Sequence, residues 1–174
     1  MMTTARLILV PGTVELARAE LGDSGEFARL LVANVPENWP PESVVDALPL
    51  FLSWLEAAPD SVGWFGWYAL ARIEDADLPT LIGGGGFLGL PQQGRVQTGY
   101  SVLPQFQRRG FATELVGGLM QWAFQQPGVL VVEAETEWAN PESVAVLNKV
   151  GFRQIGEPLE TGAAKFELRC ENQI

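Results

Sequence analysis

Residues 99–114 read Gly-Tyr-Ser-Val-Leu-Pro-Gln-Phe-Gln-Arg-Arg-Gly-Phe-Ala-Thr-Glu, a strand-like run that passes through a short loop into an amphipathic helical pattern. The first turn of a helix leaves backbone N–H groups unpaired at the positive end of its dipole, an arrangement that attracts phosphate. Gly110 and Ala112 are small enough for a bulky pyrophosphate to approach the main chain, and Arg108 and Arg109 place positive charge beside it. The segment reads as a diphosphate cradle. An ordinary helix start with a solvated arginine pair fits the same residues. Two other phosphate motifs are missing: there is no G-x-x-x-x-G-K-[S/T], and the run Gly83 to Gly86 lacks G-x-G-x-x-G spacing before a helix. That run marks a bulge or a close backbone contact in a strand.

The remaining chemistry is bounded by what the chain lacks. It contains no histidine, and Cys170 is its only cysteine. Ser-His-Asp and Cys-His catalysis, an internal disulfide and His- or Cys-based metal sites are therefore excluded, and no metal is expected. Proton transfer falls to carboxylates, Tyr, Cys, Lys, hydroxyls or bound water.

Of 174 residues, 47% are hydrophobic, and the net charge is −10. That length and apolar content suit one domain over 1–174 and exclude a disordered chain. Residues 1–94 hold four arginines, no lysine and twelve acidic groups, a net −8, whereas residues 95–130 are locally positive. Such a balance disfavours nonspecific binding to nucleic acid or an anionic membrane but permits one anion site. No stretch approaches the ~20 apolar residues of a membrane span, and the first residues lack a signal-peptide core, so a cytoplasmic location fits best.

The elements that position the cradle follow from periodicity. Arg6 to Val10 forms a first strand. Thr13 caps a helix to about Leu21, and a second helix covers about Ser24 to Asn34. A third opens at Pro40-Pro41 and runs past Leu55, kinked by Pro49. Strands follow at Trp64–Arg72, Leu81–Leu90 and Val96–Val102, then a helix from about Arg109 to Gln125 with Gly117 and Gly118 packed closely on a sheet. A strand from Leu130 toward Glu135, a helix Pro141–Val150 ending at Gly151, and strands Arg153–Glu157 and Ala164–Cys170 complete a mixed α/β domain.

Gln107-Arg108-Arg109-Gly110-Phe111-Ala112 matches the Q/R-x-x-G-x-G/A signature of the GNAT superfamily of acyl-CoA-dependent N-acyltransferases. Asn140-Pro141-Glu142-Ser143 and Lys149-Val150-Gly151-Phe152 resemble the N-x-x-S…K-x-G-F ending of the branch typified by ribosomal-protein N-terminal acetyltransferases, and Thr4 to Leu9 resembles that branch's first strand. The resemblance spans nearly the whole chain. It implies a single mixed, mostly antiparallel central sheet, flanked by helices, whose splayed central strands hold acetyl-CoA. In that fold Gln97 to Leu103, Val102 and Leu103 included, offer backbone groups to pantetheine. Backbone N–H groups from Arg108 through Arg109, Gly110, Phe111 and Ala112 to Thr113, with Gln107 beside them, hold the pyrophosphate. Asn140 reaches the pantetheine and Lys149 the nucleotide. Asn140 is also a natural helix cap before Pro141, and Lys149 suits a helix C-terminus without any ligand.

The implied reaction is direct attack of a primary amine, on a small molecule or a peptide N-terminus, on acetyl-CoA, with a backbone N–H at or near Val102 polarising the thioester. The alternative is a CoA-binding sensor with the same fold. Many relatives place a glutamate base where this chain has Gln97. Glu133, Glu135 and Glu137 share one side of an extended segment, and Glu135 is the favoured substitute, against the plain reading of a solvated acidic edge. Ser143 is the candidate acid for the leaving thiolate, Tyr100 is assigned to packing, and Arg108 stands where relatives often have glycine, so a positive φ is expected to strain it. A homodimer stays open.

Overall fold

The computed structural model describes residues 1–73 and 76–170, Ser43 by its backbone alone. The strands are β1 (Met2–Thr3), β2 (Leu7–Pro11), β3 (Gly66–Ala71), β4 (Thr80–Phe87), β5 (Arg95–Val102), β6 (Val131–Glu137), β7 (Arg153–Ile155) and β8 (Ala163–Arg169). They form one sheet in the order β1-β2-β3-β4-β5-β6-β8-β7. Every pair is antiparallel except β5–β6. The mixed α/β class and the mostly antiparallel sheet expected from the sequence are what the chain adopts.

Helices α1 (Val14–Gly22), α2 (Ser24–Leu31), α3 (Glu42–Val45) and α4 (Leu48–Ala57) lie between β2 and β3 in the chain, α5 (Phe111–Phe124) follows β5, and α6 (Pro141–Val150) follows β6. Alternation along β2 and β3 divides their residues between two cores. Leu7, Leu9, Trp67 and Ala69 join Leu115, Val116 and Leu119 of α5, while Tyr68 and Leu70 join Leu16 of α1 and Phe27 and Leu31 of α2. No helix among the described residues is long and apolar enough to cross a membrane.

Three local expectations need correction. The third helix is two helices: Pro49 sits in the first turn of α4, where no intrahelical N–H is required, so it starts a helix instead of kinking one. Helix α2 stops at Val32, which adopts a left-handed φ of 52°, earlier than the apolar pattern implies. The first strand carries an extra partner, β1, pairing Met2 with Leu9 and Thr3 with Ile8.

Two features position the site. The parallel β5–β6 pairing runs only from Arg95–Val131 to Thr98–Ala134, although β5 continues to Val102 and β6 to Glu137. The central strands therefore splay beyond Thr98. On the helical side, a Cβ at Gly118 would lie 2.7 Å from Leu9 Cδ1, so α5 packs directly on β2 there. Gly117 makes no comparable contact and is not a packing glycine.

Candidate active site

Antiparallel pairing alternates residues that bond to the partner strand with residues whose N–H and C=O point away from it. Leu88 N donates to Gln97 O and Leu103 N donates to Ile82 O, both at 2.9 Å, which fixes the phase of the β4–β5 ladder. By that phase the backbone groups of Tyr100 and Val102 point toward β6, where pairing has already ended. They face the splay. Gln107 Nε2 donates to Val102 O at 2.8 Å and ties the loop to the strand end.

Beyond the strand the loop enters α5 through Gly110, at φ 81°. Arg108 does carry a positive φ, 59°, and its guanidinium is exposed with only a loose 3.7 Å approach to Glu142. The backbone N–H groups of residues 108–113 have no partner among the described residues, the first backbone bond of this helix start being Glu114 N to Gly110 O. The turn is held from behind. Arg6 Nη1 donates to Arg109 O at 2.9 Å, Arg6 Nε donates to Glu114 Oε2 at 2.7 Å, and Arg6 N donates to Glu114 Oε1 at 2.6 Å. Arg6 and Arg109 also lie over the Phe111 ring, at 4.6 and 5.2 Å. Burial pushes the Glu114 carboxyl up, but the Thr4 hydroxyl and the backbone and guanidinium of Arg6 outweigh it and hold the group below the usual range.

A cavity of about 510 Å³ occupies this corner, bounded by β5, the loop, α5 and α6. Of the residues singled out from the sequence, Val102, Gln107, Arg108, Gly110, Phe111, Ala112, Thr113, Asn140, Ser143 and Lys149 line it. Arg109 does not, and its carbonyl oxygen accepts from Arg6 on the far side of the turn. Leu103 is fully buried with its N–H in the ladder to Ile82 and its C=O bonded by Phe106 N, so it has no backbone group free for a ligand. Glu135 is exposed, lies beside Lys165 in register and borders neither this cavity nor the second one. Glu133 is held by Arg95 at 2.6 Å. Asn140 caps α6 by accepting from Ser143 N at 3.0 Å, so the structural role open to it is real and its side chain still borders the cavity.

Tyr100 is more than packing. Its Oη lies 2.9 Å from Ser143 Oγ, bridging the splay from β5 to α6. Burial raises the phenol above its ordinary value, and the Ser143 hydrogen bond offsets part of that. Nothing in the sequence pairs these two residues, which are 43 positions apart.

A second cavity, about 360 Å³, lies on the other side of the β5 end and shares Tyr100 and Ser101 with the first. Its walls are apolar: Trp39, Leu48, Phe51, Leu55 and Phe65. Among the described residues one carboxylate lines it, Glu20, which accepts from Trp39 Nε1 at 2.8 Å and Tyr68 Oη at 2.7 Å. Burial raises the Glu20 carboxyl above its ordinary value, partly offset by the Tyr68 and Trp39 bonds. A signal for Glu20 existed in the sequence: it falls three and four positions after Ala17 and Leu16, on the apolar stripe of α1.

Splayed strands, unpaired N–H groups at the start of α5 and two cavities meeting at one strand end define an acyltransferase-type site. Residues 6–153 match the acetyltransferase (GNAT) domain, and the chain belongs to the GNAT acetyltransferase family. It is 26% identical over 153 residues to the uncharacterized N-acetyltransferase YjdG of Bacillus subtilis, covering 87% of this chain and 89% of that protein. In structure it resembles a putative ribosomal-protein-serine acetyltransferase from Vibrio cholerae (TM-score 0.62, 19% identity, 97% and 96% of the two chains). It also resembles a mutant form of the spermidine/spermine N-acetyltransferase SpeG from Vibrio cholerae (TM-score 0.63, 14% identity, 95% of each chain). The chain is an acetyltransferase of this family.

Proposed function

We propose that the protein transfers the acetyl group of acetyl-CoA to a primary amine, on a small molecule or a peptide N-terminus, by direct attack within the cytoplasm. The observation that carries this reading is the meeting of the two cavities at Tyr100 and Ser101, on the strand whose outward N–H groups, at Tyr100 and Val102, have no partner among the described residues. The donors present fit acetyl-CoA. Pyrophosphate would sit on the N–H groups of residues 108–113, with Lys149 toward the nucleotide and Asn140 beside the pantetheine. Bound there, acetyl-CoA supplies an activated thioester.

The chain's own residues then have three tasks. The N–H of Val102 or Tyr100, aimed into the splay, stabilises charge on the thioester oxygen. Ser143, hydrogen-bonded to Tyr100, hands a proton to the departing sulfur. Tyr100 carries its phenol proton at neutral pH, as any phenol does, so it can reprotonate Ser143, and the proton that the attacking amine sheds as the amide bond forms returns through water to the Tyr100–Ser143 pair. Among the described residues no carboxylate is common to the two cavities: Glu20 lines one and Glu142 the other, and Gln97 borders neither. An amine that is already partly neutral, such as an α-amino group with a reference pKa near ~8, is favoured.

A thermal-shift titration tests the cofactor. Acetyl-CoA at a hundredfold excess over its dissociation constant stabilises the native state by about 2.7 kcal/mol, a rise of roughly 5–11 °C for a chain of this size, with ATP and NAD as controls. Thiol release with an amine panel then tests turnover. Binding without turnover of any amine would favour the sensor reading, and no binding would overturn both.

A further inference from the structure

The apolar cavity has a floor made mostly of glycine. Gly66, Gly86 and Gly99 occupy one register row across β3, β4 and β5, and Tyr68, Gly84 and Ser101 occupy the next row on the same face. At Gly86 a Cβ would collide with Phe65 O, which explains that glycine without any ligand. Gly66 and Gly99 have no such reason. Neither has a positive φ, and no protein atom lies within 4 Å of where either Cβ would be. The fold would accept side chains there, so what glycine leaves open is the cavity.

Glu20 stands above the Tyr68 end of that floor. Its two oxygens are bonded by neutral donors only, and no ion pair among the described residues includes it. A carboxylate so placed in an apolar cavity is costly without a cation. Tyr68 and Ser101 are two strands apart in one row, so their backbones are separated by about 9–10 Å. Glu20 is thus anchored through the Tyr68 phenol, whose strand lies two strands from the Tyr100–Val102 end where the thioester would sit.

We propose that this cavity is the acceptor subsite and that Glu20 binds a second cationic group, ammonium or guanidinium, of an amine acceptor whose middle is apolar. The apolar body lies on the glycine floor between Trp39, Phe51 and Phe65, with the reacting amine at Ser101 and the second cation at Glu20. Glu20 thereby selects the acceptor without touching the reacting atoms. The orientation rests on the acetyl-transfer reading. The existence of the cation subsite does not.

Calorimetric titration of the whole protein with para-xylylenediamine and with benzylamine, each with and without CoA, tests it. A charge-assisted contact at Glu20 gives the diamine an advantage of about ten- to hundredfold over the monoamine. Glu20→Gln, which keeps the shape, removes that advantage. Tyr68→Phe, which keeps the carboxylate, retains it. Gly99→Ala, which meets no protein atom, weakens both amines together. Equal affinities in the wild-type protein, absence of binding by either amine, or an advantage that survives Glu20→Gln would each overturn the proposal, and the first two need no variant. Acetyl-CoA titrated onto the same samples separates this failure from failure of the acetyl-transfer reading: a diamine preference without acetyl-CoA binding leaves the subsite standing, and the reverse leaves only the cofactor site.

Discussion

Tyr100 Oη and Ser143 Oγ are 2.9 Å apart, and the same phenol reaches the Ser143 carbonyl oxygen at 3.3 Å. This contact joins the splayed strand β5 to the first turn of α6 across the place where the sheet has stopped pairing. The phenol has one proton for the two Ser143 oxygens, and either hydroxyl can donate to the other, so a proton can pass along this contact in either direction. If the two act as one relay, removing either disables it. Ser143→Ala and Tyr100→Phe are each expected to lower kcat by about a hundredfold or more, the usual worth of a positioned proton donor. The double variant should lose little beyond the worse single one, because the pair acts as a unit. Steady-state kinetics of the three variants check this, with KM for acetyl-CoA expected to change far less than kcat. Additive losses would mean independent roles.

Glu20 makes the fold depend on pH in an unusual direction. Its native pKa is raised, chiefly by burial, so the native state holds this proton to higher pH than the unfolded chain does. Stability contributed by this group therefore falls as pH rises from about 4.3, the unfolded glutamate value, through the native value, and is constant above it. Glu20→Gln removes the cost. The glutamine oxygen can still accept from Trp39, and its amide can donate to Tyr68. Denaturant unfolding should show the variant more stable than wild type at pH 7, with the gain vanishing below about pH 4. Its midpoint against pH is the measurement. A gain that persists at acid pH would mean packing, not charge, is responsible.

The parts legible in the sequence were those written in contiguous residues. The strand–loop–helix at 99–114 carried its own cradle logic, and ten of the positions read from the two motif segments line one cavity. The Asn140 cap, Pro141 and Gly151 likewise set α6 by local rules, with Gly151 at φ 106°. What escaped depended on which strands meet. Tyr100 and Ser143 touch only because β5 and α6 flank the splay. Leu103 ends the readable strand, yet its N–H is taken by the Ile82 carbonyl across the sheet. Alternation did place Glu133, Glu135 and Glu137 on one side, but no spacing could reveal that Arg95 occupies the first. Glu20 was readable as a carboxylate on an apolar stripe, though its bonds to Trp39 and Tyr68 were not.

Glu114 supports the cradle from outside the cavity. Thr4, the Arg6 backbone and the Arg6 guanidinium all donate to it, and Arg6 also bonds the Arg109 carbonyl. Its native pKa is lowered, because those donors outweigh the upward push of burial. The stability it contributes is therefore present above the unfolded value of about 4.3 and is lost as pH falls through the native value, opposite in sign to Glu20. Glu114→Gln loses the ion pair and lets the first turn of α5 loosen. The expected result is a several-fold rise in KM for acetyl-CoA with kcat near wild type, and a destabilisation at pH 7 that shrinks toward pH 3. An unchanged KM would show that the turn holds its shape without Arg6.

Two positions in the same region invert the glycine–alanine preference, and comparing them isolates the backbone. Gly117 lies inside α5 with no protein atom near its absent Cβ, so Gly117→Ala should stabilise by about 1 kcal/mol, the ordinary helix preference. Arg108 holds φ 59° in the loop, a conformation that costs an L-residue roughly 1–2 kcal/mol and glycine little. Arg108→Gly should therefore exceed Arg108→Ala in stability by about 1 kcal/mol after allowing for the greater freedom glycine has when unfolded. Both variants lose the same charge, so a difference between them cannot come from electrostatics. Acetyl-CoA affinity should follow the same order if the backbone N–H groups carry the diphosphate, because only glycine keeps the loop geometry without strain. Thermal unfolding with and without acetyl-CoA measures both quantities at once. Equal affinity in the two variants, with both weaker than wild type, would instead assign the diphosphate chiefly to the Arg108 guanidinium.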